Sequence, residues 1–465
     1  MYLLFLSYFF ALLIIFYLFM LLYLKCKMPF WSKQPVFHWY NLTYWISGPP
    51  GHIMKELPLV NKYVDLFNIK TFSLTDENIE SEQITTFCEF IRENYIYTGT
   101  NKSTMYTPTK ANILDYLLHS NHLSYVTVYQ EPKLCVIPEK DGINKDIIAV
   151  ISARPLYVRL NEKTLFGSDK TMFTTYYVDN LCVHPAYRKK GIASTMIQTH
   201  YYNLRQQNKH ITTCLFKREG DLNAIVPLVA FNTYCLPLAN LVNNLSDPHH
   251  SLIEIGITQL YLCMEFIKSQ MKTFKCVILP DVTSLTHLIK TGNIRIYCLV
   301  DKTNLSVGAN GVGANGVGAN GVGANGVGAN GVGANGVGAN GVGANGVGAN
   351  GVGANGVGAN GVGIIACYVF RLLELTYDGQ KVSECIATLN ATNTLDLFQY
   401  GFHQACSDLK EKHKTARLLL EETAHSSKLL TPTIKSLVQF TSPTAFFFYN
   451  YACYSLKGKE CLIIY

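Results

Sequence analysis

The stretch Tyr177 to Ser194 reads YVDNLCVHPAYRKKGIAS, and its reading decides the fold. Its first part, from Met172 to Val183, is rich in β-branched and aromatic residues and predicts a strand. His184-Pro185 breaks that strand, because proline has no N–H for the ladder. Gly191 to Gln207 then sets Ile192, Met196, Ile197, Tyr201 and Leu204 on one helical face. Between strand and helix lies the basic turn Arg188-Lys189-Lys190-Gly191-Ile192-Ala193. Such a turn suits a pyrophosphate: the first N–H groups of a helix point at the anion, glycine permits close approach, and the cations add charge. The small Ala193 lets backbone crowd the ligand. The same composition also serves a solvated helix start.

Around this stretch the chain has 465 residues, net charge +7, 48% apolar and 15% charged residues. Two uncharged segments distort those averages. Met1 to Leu24 is apolar except for Ser7, and Val307 to Gly363 repeats the word V-G-A-N-G. The remainder is glycine-poor, apolar and mildly basic, which excludes a disordered chain, a collagen-like chain and a multi-span membrane protein. Dispersed lysines and a modest net charge argue against nucleic-acid binding. Helical spacing predicts helices over 81–95, 110–118, 252–271 and 396–412. Strands are expected at 124–129, 134–138, 146–160, 172–183, 275–279, 294–300, 364–372, 382–390 and 445–451, with 140–145 as a turn. The body is therefore expected to be α+β, with a central antiparallel or mixed sheet.

As a helix, Tyr2 to Leu24 would be about 35 Å long, enough to cross a hydrocarbon core of about 30 Å with some tilt. No basic start and no small-residue cleavage site mark it as a signal peptide. Lys25 and Lys27 follow, so the positive-inside rule expects a single-pass anchor over 1–24 with the body in the cytoplasm. The repeat has little side chain to bury and reads as a flexible loop joining the strands at 294–300 and 364–372. Lengthening a hairpin loop that far costs on the order of 2 kcal/mol. The 14 cysteines form no C-x-x-C pair, which fits neither a disulfide framework nor a zinc site, and no metal is expected. Cys182 has a competing reading as a covalent nucleophile, but it lies in an apolar strand. His249-His250 has no third ligand and reads as a surface loop.

The basic turn resembles the coenzyme A loop of the GNAT acyltransferase superfamily, where R/Q-x-x-G-x-G/A follows such a strand. Further pieces, in order, resemble the glycylpeptide N-myristoyltransferase family. Leu181-Cys182-Val183-His184 matches the core motif, with Asn180 where the family has Phe. Phe30 to Val36 (FWSKQPV) is similar to F-W-x-T-Q-P-V, and Glu93-Asn94-Tyr95 matches E-N-Y. Ile151-Ser152-Ala153-Arg154-Pro155 resembles I-S-A-I-P, and Phe448 to Cys453 (FYNYAC) resembles L-Y-N-W-R-C. Lys459 to Tyr465 (KECLIIY) looks like the family's last seven residues.

The resemblance implies two pseudo-symmetric GNAT-like halves: 25–240, binding acyl-CoA, and 241–465, binding peptide and carrying the 307–363 insertion. It implies transfer of myristate from the co-substrate myristoyl-CoA to the N-terminal glycine of a peptide or protein, with no prosthetic group. The base would be the α-carboxylate of Tyr465, and the oxyanion donors the backbone N–H groups of Asn180 and Leu181. The coenzyme would meet Arg188, Lys189, Lys190, Gly191, Ile192 and Ala193. Pro29, Phe30 and Trp31 would close over it, and the acyl chain would lie beside Leu181, Cys182 and Val183. The departures fall on the peptide side. Tyr97 to Lys102 lacks the family's acidic loop, Pro227 to Leu238 lacks its R-Y-W-H-R stretch, and Asp179 replaces an Asn. Another GNAT-type N-acyltransferase, or a degenerate acyl-CoA-binding homologue, is the alternative.

Overall fold

The strand before the basic turn (Gly167–Val183) and the strand after its helix (Cys214–Glu219) become neighbours in one sheet. The computed structural model describes residues 2–75, 77–95, 104–130, 147–164, 167–220, 225–241, 247–301, 363–392 and 394–465, and two dipeptides of the repeat at 327–328 and 332–333. In chain order the elements used below are α1 (Tyr2–Lys27), β1 (Ile69–Ser73), α2 (Glu82–Asn94), β2 (Thr104–Tyr106), α3 (Lys110–Leu117), β3 (Tyr125–Gln130), β4 (Ile147–Thr164) and β5 (Gly167–Val183). There follow α4 (Ile192–Gln207), β6 (Cys214–Glu219), β7 (Val229–Pro237), β8 (His250–Glu254), α5 (Leu260–Met271), β9 (Cys276–Leu279) and α6 (Val282–Thr291). The rest are β10 (Ile294–Asp301), β11 (Ile364–Tyr377), β12 (Gln380–Asn390), α7 (Leu395–His413), β13 (Arg417–Glu421), β14 (Phe440–Tyr449) and β15 (Cys461–Ile463).

The main path of the sheet runs β1-β3-β4-β5-β6-β14-β7-β13-β12-β11-β10-β8. It reads the same from both ends. From β1, three antiparallel pairings lead to β5, which pairs parallel with β6. From β8, three antiparallel pairings lead to β12, which pairs parallel with β13. A parallel neighbour needs a crossover, and α4 and α7 supply the two. The next strand of each half crosses over: β7 pairs with β13, β14 pairs with β6, and β7 and β14 pair with each other at the centre. These are the two pseudo-symmetric halves expected.

Most predicted elements are present, although β4, β5, β11 and β14 each run four or five residues beyond one expected end. One is corrected: the helix expected over 252–271 begins only at Leu260, and Leu252 to Glu254 lie in β8. Leu252 and Ile253 pack into different apolar clusters on opposite faces, as strand neighbours do, and Gly256 precedes the helix. The strand expected at 134–138 and the turn at 140–145 lie outside the described residues. Strands β10 and β11 pair, with Val300 opposite Ile364 and the Asp301 N–H donating to Gly363 O, so the repeat is an insertion in a hairpin.

The motif at 448–453 also has a structural cause. Asn450, at φ 63°, donates its side-chain amide to the carbonyls of Met54 and Thr212, and its side-chain oxygen accepts from the Met54 N–H. Its own N–H reaches Pro35 O. One side chain thereby ties the N-terminal segment to the sheet.

Candidate active site

Strand β5 carries a bulge where the chemistry is expected. In its pairing with β4, Cys182 faces Val150 and Asp179 faces Ser152, so Asn180 and Leu181 together stand against Ile151 and drop out of the register. Asn180 sits at φ 55°, a left-handed conformation that asparagine tolerates better than a bulky residue. Parallel pairing with β6 ends at Val178–Phe216, so the bulge lies where the two strands part. Backbone donors at such an opening can face a ligand. The Asn180 N–H, however, donates to the neighbouring Asp179 carboxylate at 2.8 Å, and its side-chain amide donates to Ser152 Oγ at 2.9 Å.

The basic turn follows on the same strand. Lys189 (φ 64°) and Gly191 (φ 82°) both take left-handed conformations, and Gly191 caps α4 with open space where a Cβ would stand. Lys189 and Lys190 are exposed. The Arg188 guanidinium donates to Val183 O at 2.9 Å and to Asn94 O at 3.1 Å, holding β5 against the end of α2. It shapes the turn. Ile192 packs with Leu181, Val183 and Ile197 around buried Met196, while Cys182 enters the separate cluster of α2 and α3. Burial pushes the Cys182 thiol up to about 11, which disfavours the thiolate an acyl carrier needs.

Pro29 is exposed; Phe30 and Trp31 are packed. Phe30 meets Trp31 and Tyr63 edge-on at 5.0 and 5.1 Å, and Trp31 stacks on Phe216 at 5.8 Å. Thr199 of α4 donates its hydroxyl to Tyr63 O. The N-terminal segment thus borders both the helix that starts at the basic turn and the strand that parts from β5.

Tyr465 is 1% exposed. Strand β15 runs parallel to β9, and the Ile464 N–H donates to Ile278 O, so the last residues are held as sheet. The phenol hydroxyl lies 2.7 Å from Glu421 Oε1, 3.2 Å from Glu384 Oε1 and 2.7 Å from Lys217 Nζ. Lys217 Nζ in turn sits 2.6 Å from Glu421 and 2.8 Å from Glu384. Arg371 approaches Glu384 at 3.5 Å and lies 4.7 Å over the Tyr465 ring. Burial would raise both carboxyls, but Lys217 and Arg371 hold Glu384 down at about 2. Glu421 is raised to about 7 by burial, with Lys217 opposing and Glu384 adding to the rise. Burial alone would lower the Lys217 ammonium, yet the two glutamates raise it well above its usual range.

Beside this cluster lies a cavity of about 40 Å³, lined by Tyr106, Tyr116, Arg154, Asp179, Asn180 and Arg371, among others. Sequence reasoning missed Lys217, Glu384 and Glu421, and saw Arg154 only as a departure from a motif. The available signal was a charged residue inside an apolar strand: LFK at 215–217, SECI at 383–386 and LLLE at 418–421. Among the described residues, Cys263, Cys298 and Cys367 come together in the core, a thiol cluster the sequence spacing did not foretell.

A strand with a bulge near its end, a basic turn and a helix follow one another here. Residues 104–218, which contain all three, match the sequence model of the acetyltransferase (GNAT) family. No curated protein matches the chain. Among solved structures it is similar to Saccharomyces cerevisiae N-myristoyltransferase with bound myristoyl-CoA, with a TM-score of 0.61 at 13% identity over 93% of this chain and 90% of that one. A second crystal structure of that enzyme, with bound myristoyl-CoA and inhibitors, gives 0.58 at 14% identity over 92% and 91%. At such identities the likeness is one of fold: the chain has the two-half architecture of N-myristoyltransferase, as its sequence motifs lead one to expect.

Proposed function

We propose that the protein transfers a long acyl chain, myristoyl, from its coenzyme A thioester to the α-amine of an N-terminal glycine. The observation that carries this reading is the opening at the end of β5, where a bulge with left-handed Asn180 leads directly into the anion-binding turn at 188–193. The acyl-CoA half would be 25–240 and the acceptor half 241–465. The coenzyme phosphates meet Lys189, Lys190 and the backbone of Gly191, Ile192 and Ala193, where the start of α4 favours negative charge. The thioester carbonyl lies against the bulge, and the chain beyond it runs along the apolar surface of Leu181 and Val183.

The chemistry then follows from the residues. An α-amine has a reference pKa of about 8 and needs a proton removed before it can attack. The α-carboxylate of Tyr465, on a buried backbone, is the base. The amine nitrogen, having given one proton to that base, bonds to the carbonyl carbon, the oxyanion is held by the Leu181 and Asn180 N–H groups, and collapse expels the coenzyme A thiolate, which takes up the second proton lost from nitrogen. For Asn180 to donate fully, the Asp179 carboxylate must turn away from it. That contact favours one second reading, an acyl-CoA-binding protein that does not transfer.

Helix α1 supports a membrane seat. It is long and apolar enough to cross a bilayer, and outside the helix Trp39 and Trp45 remain 47% and 44% exposed, with the Trp45 indole donating to Trp39 O. Exposed tryptophans beside an apolar helix suit the headgroup layer. Tyr17 donates its hydroxyl to Tyr40 O, which couples this collar to the helix. With Lys25 and Lys27 after the span, the body faces the cytoplasm.

The test is incubation of the detergent-solubilised chain with acyl-CoAs of graded length and a labelled glycyl peptide. Amide product that peaks with myristoyl-CoA supports transfer. Preference for acetyl-CoA, or tight myristoyl-CoA binding without product, refutes it.

A further inference from the structure

Arg154 stands on β4 at 6% exposure and lines the cavity beside the bulge. Its guanidinium is clamped between two rings, 4.5 Å from the Tyr116 centroid and 5.1 Å from that of Tyr177. Ring faces stabilise the cation, but a guanidinium's donors lie in its plane, at right angles to those faces. Nε and Nη2 of Arg154 are buried with no hydrogen-bond partner among the described residues. A buried donor left without an acceptor has lost its water and gained nothing in exchange. Burial also depresses the Arg154 pKa, with the Asp179 charge opposing it. The clamp therefore holds a fork-shaped, anion-seeking group at the cavity with its edges unmet.

A second guanidinium reinforces it. Arg371, also at the cavity, lies 5.6 Å over the other ring that holds Arg154, that of Tyr116. Its nearest carboxylate, Glu384, is shared with Lys217. The acids that line the cavity are Asp179, which already accepts from the Asn180 N–H, and Glu374, which pairs with Lys381 at 3.6 Å. Neither closes the Arg154 fork. A planar, doubly donating edge matches a carboxylate in bidentate geometry. The cavity therefore offers a cationic, doubly donating edge for a carboxylate.

Resting on the acyl-transfer reading, we propose that the acceptor carries a carboxylate close to its reactive amine, and that Arg154, assisted by Arg371, binds it. Two sources share this chemistry: the α-carboxylate of a free amino acid, and an acidic side chain directly after an N-terminal glycine. The acyl-transfer chemistry is unchanged; the arginines bind and orient the acceptor.

The experiment uses the full chain in detergent with myristoyl-CoA and two matched acceptor pairs: glycine against glycinamide, and amidated Gly-Asp against amidated Gly-Asn. Transfer to the carboxylate member of at least one pair should exceed its amide by about 10- to 100-fold in kcat/KM. The responding pair identifies the source. Arg154→Met should erase the preference, bringing the carboxylate member's rate and affinity to those of its amide, and Arg154→Lys should restore only part of it. Calorimetric titration of the same acceptors reads the carboxylate preference without turnover. If no acceptor is acylated, the transfer reading fails while the titration still decides the carboxylate. Equal rates, or equal affinities, within both pairs overturn the proposal, as does a preference that survives Arg154→Met.

Discussion

Replacing Lys217 by methionine removes the ammonium that lies 2.6 Å from Glu421, 2.8 Å from Glu384 and 2.7 Å from the Tyr465 hydroxyl. Glu384 keeps Arg371 at 3.5 Å, but Glu421, fully buried, keeps the phenol and has no other ion-pair partner among the described residues. Orphaning a buried charge by removing its partner costs about 3–5 kcal/mol. The protonation of Glu421 sets where that loss appears. With Glu421 at about 7 in the intact protein, both carboxylates are charged at pH 8, and the full loss is expected there. At pH 5 Glu421 is neutral and Glu384 still has Arg371, so the loss should fall to about 2 kcal/mol. Urea unfolding of both proteins in the same detergent at pH 5 and pH 8 measures it. Adding Glu421→Gln to Lys217→Met should recover much of the pH 8 loss, because no unpaired carboxylate then remains. A loss below about 1 kcal/mol at pH 8, or an equal loss at both pH values, refutes a buried charged cluster around Tyr465.

Three further outcomes follow from the same geometry. Because Glu421 is raised from about 4.3 in an unfolded chain to about 7, its contribution favours folding below about 4.3 and is lost as pH rises through 7. Glu384, held at about 2, acts oppositely, stabilising above about 4.3 and losing that as pH falls toward 2. Melting temperatures of Glu421→Gln should therefore decline less than wild type between pH 5 and pH 8; parallel profiles argue against the raised carboxyl. Asp179→Asn weakens the acceptor on the Asn180 N–H, so kcat should rise about 3- to 10-fold with little change in myristoyl-CoA affinity; a fall in kcat gives Asp179 a positive role. Alanine at both Lys189 and Lys190 should weaken acyl-CoA binding about 10-fold at low salt and less at high salt, whereas a salt-independent effect places the phosphates elsewhere.

The alternation and breaks around 177–194 made β5, the basic turn and α4 legible, because local preference and tertiary role agree there. The β10–β11 hairpin was legible for the same reason: two apolar runs flank an insertion that cannot bury itself. Leu252 to Glu254 misled because a short apolar run fits a helix or a buried strand equally well, and only its pairing with β10 decides between them. The charged cluster was out of reach for another reason. Lys217, Glu384 and Glu421 sit on three strands far apart in the chain, and nothing local in LFK, SECI or LLLE shows that they converge on Tyr465. Nor does its place in a basic turn show that the Arg188 guanidinium also reaches back to the carbonyls of Val183 and Asn94.

The most direct test of the central claim, that the Tyr465 carboxylate is the base, is a chain with one alanine added after Tyr465. Single-turnover transfer of labelled myristate to a glycyl acceptor is measured beside the Kd for myristoyl-CoA. The account predicts transfer reduced about 100-fold or more, in keeping with loss of a general base, with the Kd unchanged. Full turnover by the extended chain contradicts it.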